Sequence, residues 1–380
     1  MTLIYLDYNA STPIDPRVAA AMRPLLETAY GNPSSPHWAG APARQALEAA
    51  RAQVASSLGA EPDEIVFTSG GSEANNLALT GVFFSRRAQG DHIVTSQVEH
   101  PAVLEPCRFL ERLGAQVTYL PVDRFGRVDP EDVRRAMRSS TVLVSLMHAN
   151  NEVGTIQPIA ACAEIAHAHG ALFHTDAAQS VGKIPTDVRT LGADLLTVAG
   201  HKLYAPKGVG ALYVRRGVAL EPLIHGAGHE SGRRAGTESA LLAAALAAAC
   251  SLAEDLTPMV AIGALRDRLW EGLQAALGDR VVLNGHPRHR LPNTLNVAFP
   301  GVVGAEILAR LDGVAASTGS ACHADRIELS PVLAAMGVSP HVGMGALRFS
   351  LGRATTADEI ETVLQGLVAL VGGMAPASGG

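Results

Sequence analysis

Short apolar segments alternate with amphipathic ones between about residues 44 and 216, and this alternation limits the folds open to the chain. Residues 43–59 have a helical pattern that ends at Gly59. A buried strand, IVFT, then leads into the glycine turn of Gly70 and Gly71, and a second helical pattern follows. Further short apolar runs, most with helical periodicity after them, are DHIVTSQVEH, AQVTYLPVD, STVLVSLMHAN, GALFHTDAA, ADLLTVAGHK and VGALYVRRG. Strands that alternate with helices predict βαβ units and an α/β fold with a mainly parallel sheet covered on both faces.

The pattern changes after about residue 256, where the regular alternation of strand and helix is lost. A helix around 259–276 leads to a strand pair with a Pro-rich connection, VVLNGHPRHRLPNTLNVAFPG. The rest consists of the helix AEILARLDG, a Gly/Ser-rich stretch over 315–330, another helix, the segment ALRFSLGR and a closing helix. Because residues 315–330 are small and polar with no apolar periodicity, we expect a mobile loop there. This part of the chain indicates a smaller α+β domain.

Composition excludes several classes of function. The 30 Lys and Arg residues are outnumbered by 36 Asp and Glu, and no basic block occurs, so nucleic acid is not an expected partner. No basic segment precedes an apolar core at the start, and the longest apolar stretch, Ala240–Ala253, is shorter than the ~20 residues of a membrane span. We therefore expect a soluble, cytoplasmic protein with no membrane partner. Four cysteines without a CxxC pair argue against a disulfide scaffold and against a zinc site.

Polar residues follow several of the predicted strands, at the edge where open α/β sheets bind ligands. The run Ser69–Glu73 opens a helix through a glycine turn, so its free backbone N–H groups and the helix dipole suit a phosphate. The alternative is an ordinary helix start capped by Ser72. His100, Asn150, Asn151 and Glu152 follow other strands, and an isolated histidine there can equally be structural.

Asp176 and Lys202 complete this set. A carboxylate after so apolar a run as ALFHT needs a partner, which a cationic ring nitrogen or a neighbouring arginine could provide. Lys202 follows Gly200 and His201 in a turn at a strand end, where burial would free its lone pair as a nucleophile. The alternative is a surface lysine at a turn. Taken together, a phosphate cradle, a ring-stacking histidine, an acid for a pyridinium nitrogen and a Schiff-base lysine predict a pyridoxal 5′-phosphate site.

The chain resembles the class V pyridoxal-phosphate enzymes of the cysteine desulfurase group, which includes the selenocysteine lyases. The resemblance extends from the start of the chain to about residue 356. It rests on YLDYNASTP, GNPSSPHWAG, FTSGGSEANN, SQVEH, MHANNEVG, HTDAAQSVGK, GHKLYAPKG, HGAGHESGRRAGTES, LPNTLN, STGSACHAD and LRFSLGRATT. It implies the fold-type-I transferase fold, with a large domain over residues 12–255 built on a seven-stranded sheet. Residues 1–11 and 256–380 would form the small domain.

The resemblance also implies a role for each matching residue. Lys202 would carry the cofactor as a Schiff base, Asp176 would pair with its pyridinium nitrogen, and His100 would stack on the ring. Asn151 and Gln179 would contact the ring hydroxyl oxygen, and Asn151 also the substrate. The phosphate would be held by Gly71, Ser72, His201 and, from the neighbouring subunit of a homodimer, Thr237. Arg348 would bind the substrate carboxylate, and Cys322 would take the sulfur as a persulfide.

One position departs from the pattern. Many desulfurases have a serine two residues before the histidine of the Ser-x-His-Lys motif, whereas this chain has Ala199. The selenocysteine lyases also lack that serine and have a Cys-His pair similar to Cys322 and His323. The resemblance thus implies conversion of L-cysteine to L-alanine with delivery of sulfur to an acceptor protein, as in iron–sulfur cluster assembly. The alternatives are release of selenium from L-selenocysteine, an aminotransferase with no use for Cys322, and a non-catalytic scaffold.

Overall fold

A computed structural model describes the backbone of residues 3–323 and 326–374, and the side chains of these residues outside 320–327. A seven-stranded sheet forms the centre of the larger part of the molecule, in the order β2-β8-β7-β6-β5-β3-β4. Its strands are β2 (Ile65–Thr68), β3 (His92–Ser96), β4 (Gln116–Leu120), β5 (Thr141–Ser145), β6 (Leu172–Asp176), β7 (Leu195–Ala199) and β8 (Gly210–Val214). Only β8 runs antiparallel to its neighbours, so the predicted mainly parallel sheet is confirmed.

Helices cover both faces of this sheet because its strands are apolar on both sides. The helices up to residue 253 are α1 (Pro16–Thr28), α2 (Ala41–Leu58), α3 (Gly71–Arg86), α4 (Pro101–Glu111), α5 (Pro130–Ala136), α6 (Ile159–Ala168), α7 (Val188–Leu191) and α8 (Ala240–Ala253). One core contains side chains of α2, α6 and α8, and a second contains those of α3 and α4. The helix predicted to end at Gly59 does so, since Gly59 has a φ of +71° and its N–H caps α2.

A second sheet forms the centre of the C-terminal part. Its four strands are antiparallel, in the order β12-β15-β10-β9. They are β9 (Val282–Asn284), β10 (Thr294–Ala298), β12 (Ser317–Thr318) and β15 (Ala346–Ser350). The helices of this part are α9 (Thr257–Leu277), α10 (Gly304–Arg310), α11 (Pro331–Ala335), α12 (Pro340–Gly343) and α13 (Ala357–Gly373). Strand β1 (Ile4–Tyr5) pairs with β11 (Val314–Ala315), so the N-terminal segment packs with this second core.

The Gly/Ser-rich stretch is more regular than the expected loop. Besides β11 and β12 it contains β13 (Ser320–His323) and β14 (Arg326–Leu329), which pair as an antiparallel hairpin. The pattern that predicted a mobile loop did not reveal these strands, because they form by backbone pairing and not by apolar periodicity. Gly319 donates its N–H to Ala346 O at 2.8 Å, and a Cβ on Gly319 would lie 2.5 Å from the Cβ of Ala346. Only glycine allows that approach.

Within the described ranges, no single helix is both long and apolar enough to span a membrane. The helices Ala240–Ala253 and Thr257–Arg280 meet the length and composition requirement together, as a pair bent by 72°.

Candidate active site

The carboxyl ends of the central strands open into one cleft of about 640 Å³. With two exceptions, the residues predicted for the site line this cleft. They are Gly71, Ser72, His100, Asn151, Asp176, Gln179, His201, Lys202 and Arg348. They come from separate loops and strand ends that the sheet brings to the same edge, which is where open α/β sheets place ligands.

Lys202 lies in the 3₁₀ turn Gly200–Lys202, directly after β7. Its Nζ donates to the carbonyl oxygens of Asn9 and Ala10, the latter at 2.9 Å. Burial lowers the pKa of Lys202 to about 8, and the guanidinium of Arg348 adds to this effect, whereas nearby carboxylates oppose it. The amine is therefore held in the cleft by neutral carbonyls and is nucleophilic closer to neutral pH than an ordinary lysine.

Asp176 is the last residue of β6 and is buried, and both of its carboxylate oxygens are engaged. Oδ1 accepts from the backbone N–H of Ala178 at 2.9 Å, and Oδ2 accepts from Nδ2 of Asn75 at 2.7 Å. Neither partner is a cation, and no salt bridge to Asp176 occurs in the described part of the chain. The arginine partner considered from the sequence is therefore not found. No cation of the described chain is paired with Asp176, so its carboxylate can pair with a cationic ligand atom.

His100 caps α4 at the open side of the cleft. Its Nδ1 accepts from the backbone N–H of Ala102 at 3.0 Å, so the neutral ring carries its hydrogen on Nε2. The surrounding protein partly removes the ring from water, and this desolvation lowers the pKa of His100. The charge of Asp176 opposes this shift, and the charge of Lys202 adds to it. The imidazole is thus a neutral ring with a fixed orientation, and it can stack on a ligand or exchange a proton at Nε2.

The first turn of α3 fits a phosphate group. Gly70 has a φ of +151°, a conformation that L side chains rarely adopt, and the helix begins at Gly71. A Cβ on Gly71 would lie 3.1 Å from the Cβ of Ala199, so glycine keeps this end of the cleft open. The free N–H groups and the dipole of a 16-residue helix favour an anion there. His201 adds a neutral ring to this end of the cleft, because burial and the nearby lysines lower its pKa to about 4.

Arg348 projects from β15 of the second sheet into the cleft. Its Nη1 donates to Asn151 O at 3.0 Å, and its Nη2 donates to Asp7 Oδ1 at 2.7 Å and to Ser317 Oγ at 2.8 Å. Its Nε is buried and has no hydrogen-bond partner among the described residues. Three of the five guanidinium N–H groups are used, so one Nη1–H and the Nε–H have no partner among the described residues, while the salt bridge to Asp7 holds the group in place.

Asn9 lies in the motif YLDYNASTP, but no sequence pattern predicted a role for it. Asn9 is 1 % exposed and connects most of the site. Its backbone oxygen accepts from Lys202 and from Gln179, and its side-chain nitrogen donates to the oxygen of Asn151. Asn75 was missed in the same way. In both cases the available signal was a polar residue at a position that the fold buries.

Two predicted residues lie outside the cleft lining. Thr237 is exposed, between the 3₁₀ turn Glu230–Gly232 and α8, and does not reach the cleft of its own chain. The backbone of Cys322 lies in β13, paired with Ile327, but its side chain is outside what the structure describes. The other three cysteines are buried free thiols, and burial raises the pKa of each to about 12.

This α/β architecture and this cleft define the fold-type-I transferases, enzymes that depend on pyridoxal 5′-phosphate. A sequence profile of the family "Aminotransferase class-V" matches residues 4–363. A cysteine desulfurase IscS of Dictyoglomus turgidum is 48% identical over 372 residues, covering 97% of this chain and 94% of the relative. The chain therefore belongs to the class V aminotransferase family, in the group that contains the cysteine desulfurases.

Solved structures agree with this assignment. A NifS-like protein superposes with a TM-score of 0.92 at 37% sequence identity, over 98% of this chain and 100% of that one. A structure described as SspA in complex with cysteine has a TM-score of 0.81 at 37% identity, over 93% of this chain and 100% of that one.

Proposed function

We propose that the protein is a pyridoxal-phosphate-dependent cysteine desulfurase, which converts L-cysteine to L-alanine and passes the sulfur to Cys322. The observation that supports this most is the meeting of Lys202, Asp176 and Arg348 in one cleft, in a chain 48% identical to a cysteine desulfurase. The structural neighbour described as a complex with cysteine supports the choice of substrate.

The cofactor fits the residues present. The first turn of α3, with Gly71 and Ser72, would hold the phosphate, and Asp176 would face the ring nitrogen. Lys202 would be the attachment point, and His100 would lie against the ring. Reduction of the loaded protein with borohydride, followed by peptide mapping, should find the adduct on Lys202. An adduct on Lys183 or Lys207 instead would contradict this assignment.

Each step uses a group whose surroundings suit it. Bound pyridoxal phosphate would supply a covalent link to the substrate amine and accept the electron pair released at Cα. Arg348 would bind the substrate carboxylate through the guanidinium N–H groups that have no partner, with Asp7 fixing the guanidinium. Lys202, with its lowered pKa, would take the Cα proton at Nζ and return protons later. His100 would hold or release a proton at Nε2, because its Nδ1 is occupied by Ala102 N–H.

Sulfur transfer would then fall to Cys322. Its thiolate would attack the substrate sulfur, so that an S–S bond forms and the Cβ–S bond breaks. The electron pair of the broken bond would stay on carbon, which takes up a proton and becomes the methyl group of alanine. The remaining three thiols are poor candidates because burial raises their pKa values. A sulfur-acceptor protein would remove the persulfide and return the thiol.

A second candidate is selenocysteine lyase activity, and Ala199 is the observation that favours it. The chain has a methyl group where many desulfurases have the serine hydroxyl, and Ala199 lines the cleft beside Gly71. Alanine formation from L-cysteine and from L-selenocysteine, compared as kcat/KM, separates the two. A desulfurase should retain substantial turnover of L-cysteine that depends on Cys322. A lyase should strongly prefer selenocysteine and keep its activity without Cys322.

We also propose that the active unit is a homodimer. His229 Nδ1 and Glu238 Oε2 are buried without hydrogen-bond partners among the described residues, although Glu238 Oε2 lies 4.0 Å from His229 Nε2. Both residues border a surface cavity of about 590 Å³, and Glu238 directly follows Thr237 in the chain. Tyr30 and Trp38 are 73% and 80% exposed, which is unusual for such large side chains. A second copy would cover these groups and bring Thr237 to its partner's phosphate site. Sedimentation should show a dimer, and a fully active monomer would contradict the proposal.

A further inference from the structure

The chain has three lysines, Lys183, Lys202 and Lys207, among its 30 basic residues, and everywhere else the cation is arginine. Lys202 and Lys207 line the cleft. Lys183 lies behind it, is 8% exposed, and borders a smaller cavity that it shares with Lys202. None of the steps assigned above uses Lys183, so a buried ammonium group next to the site is left without a role.

The partners of Lys183 are amides rather than acids. Its Nζ donates to Oε1 of Gln179 at 2.9 Å and to Oδ1 of Asn9 at 3.4 Å. No carboxylate forms a salt bridge with it among the residues that the structure describes. Burial lowers the pKa of Lys183 to about 7, and the charges of Lys202 and Arg348 lower it further. Such a group is costly to bury, so its position calls for a reason other than stability.

Two contacts set which way the Gln179 amide faces. Lys183 Nζ carries hydrogens in either protonation state and donates to Oε1, and the backbone oxygen of Asn9, which can only accept, lies next to Nε2. Nε2 of Gln179 then lies on the other side, where it donates one hydrogen to the backbone oxygen of Asn9 at 3.0 Å. The second hydrogen of Nε2 has no acceptor within the described part of the chain. Because Gln179 lines the cleft, this N–H is available to a ligand.

Asn9 is oriented by the same group. Its Oδ1 accepts from Lys183 and, at 3.0 Å, from Nδ2 of Asn293. Its Nδ2 therefore faces away and donates to Asn151 O at 3.2 Å and to Thr294 Oγ1 at 2.8 Å. Lys183 thus contacts both amides, but the Asn9 amide has three further hydrogen bonds that orient it, whereas the side-chain oxygen of Gln179 has Lys183 as its hydrogen-bond donor.

We propose that Lys183 is a positioning residue, which holds the amide of Gln179 so that its nitrogen faces the cleft and donates to an anionic ring oxygen of the cofactor. This inference rests on the proposed function for the identity of the cofactor. An unrestrained glutamine could rotate by half a turn and present Oε1 instead, which would repel that oxygen. Lysine suits the position because its small, donor-only head fits between two amide oxygens, where a planar guanidinium needs more room.

The test compares Lys183→Met, Gln179→Met and the double variant in a double-mutant cycle, with two measurements on each protein. The first is the dissociation constant of pyridoxal phosphate for the apoprotein. The second is the pH midpoint of the visible absorbance change of the loaded protein. We expect Lys183→Met to weaken binding roughly five- to tenfold, as the loss of one oriented hydrogen bond implies, and to raise the midpoint. In the Gln179→Met background the same substitution should change binding by less than about twofold.

Lys183→Gln provides the conservative comparison, since its amide nitrogen can still donate to Oε1 of Gln179. It should retain binding within about twofold of the parent. Gln179→Glu keeps Lys183 intact but presents a second oxygen to the cleft, so it should bind the cofactor more weakly than Gln179→Met does. This last comparison tests whether Gln179 presents a donor to the cleft. Where thermal melting shows that Lys183→Met does not fold, Lys183→Gln in the parent and in the Gln179→Met background takes its place in the cycle, and a loss of binding that is the same in both backgrounds contradicts the role of Lys183.

Three results would overturn the inference. The first is parental binding and an unchanged pH midpoint in folded Lys183→Met. The second is the same loss from Lys183→Met in both backgrounds, because Lys183 would then act by charge or by fold and not through Gln179. The third is a Gln179→Glu protein that binds as tightly as the parent. If the unsubstituted protein binds the cofactor but makes no alanine from cysteine, the proposed activity is refuted. The binding measurements on the variants then still decide the role of Lys183.

Discussion

Nδ2 of Asn75 donates to Oδ2 of Asp176 at 2.7 Å, across the contact between helix α3 and the end of strand β6. Asn75 is 1% exposed, and the helix that carries it also presents the phosphate cradle at its first turn. One helix therefore fixes the two ends of the proposed cofactor site, the phosphate through its N-terminus and the ring nitrogen through Asp176. Movement of α3 would displace both together.

Asn75→Ala should weaken cofactor binding about five- to tenfold, because Asp176 would lose one of its two fixed hydrogen bonds. The free energy of unfolding should fall by about 1–3 kcal/mol, since a buried carboxylate oxygen is left without a partner. Titration of the apoprotein with pyridoxal phosphate and denaturant unfolding measure the two effects. Asn76→Ala is a matched control, because the one hydrogen bond that the Asn76 side chain makes among the described residues goes to Ser72 O of its own helix. Equal effects of the two substitutions would contradict the role of Asn75.

Ala199→Ser should tighten cofactor binding, by at most about 1.5–3 kcal/mol, the value of a hydrogen bond to a charged group. Ala199 lines the cleft, and a Cβ built on Gly71 would lie 3.1 Å from its methyl group, so a hydroxyl there would face the phosphate cradle. Equilibrium dialysis of the cofactor gives the change directly. Ala205→Ser, in a buried position of the same turn, controls for the cost of adding a hydroxyl. Unchanged or weaker binding in Ala199→Ser would mean that another group already fills that place.

The pH dependence of cofactor loading follows from the lowered pKa of Lys202. Only the neutral amine attacks the aldehyde, and with a pKa of about 8 roughly a tenth of it is neutral at pH 7. The loading rate of the apoprotein should rise about tenfold per pH unit below 8 and level off above it. A rate that still rises steeply above pH 9 would contradict the lowered pKa. Arg348→Gln removes a cation that lowers this pKa, so its profile should move to higher pH.

Much of the fold could be predicted from local patterns. Each apolar run that predicted a strand of the central sheet forms a strand there. Helix α2 ends at Gly59, as the sequence predicted. The order of the strands could not be predicted, because periodicity does not say which strands become neighbours. The antiparallel β8 between β2 and β7 is an example. The strands in residues 315–330 were missed because they form by backbone pairing, which the side-chain pattern does not report: β12 pairs with the distant β15, and β13 pairs with β14.

The residues of the candidate site likewise include some that the sequence predicted and some that it did not. Residues that follow strands, such as Asp176 and Lys202, could be identified because the topology of a parallel sheet brings strand ends together. Their partners could not, because they come from remote parts of the chain. Asn9 is 193 positions from Lys202, and Asp7 is 341 positions from Arg348. No local pattern reports such a contact before the fold is known.

The most direct test of the proposed function measures alanine formed from L-cysteine by Cys322→Ala, beside the parent and Cys107→Ala, Cys162→Ala and Cys250→Ala. Cys322→Ala should keep the cofactor spectrum and bind cysteine, because Lys202 and Arg348 are unchanged. It should form neither alanine nor sulfide, since no thiolate remains to take the sulfur. The other three variants should remain active, because those thiols are buried. Desulfuration of cysteine by Cys322→Ala at the parental rate would contradict the central claim.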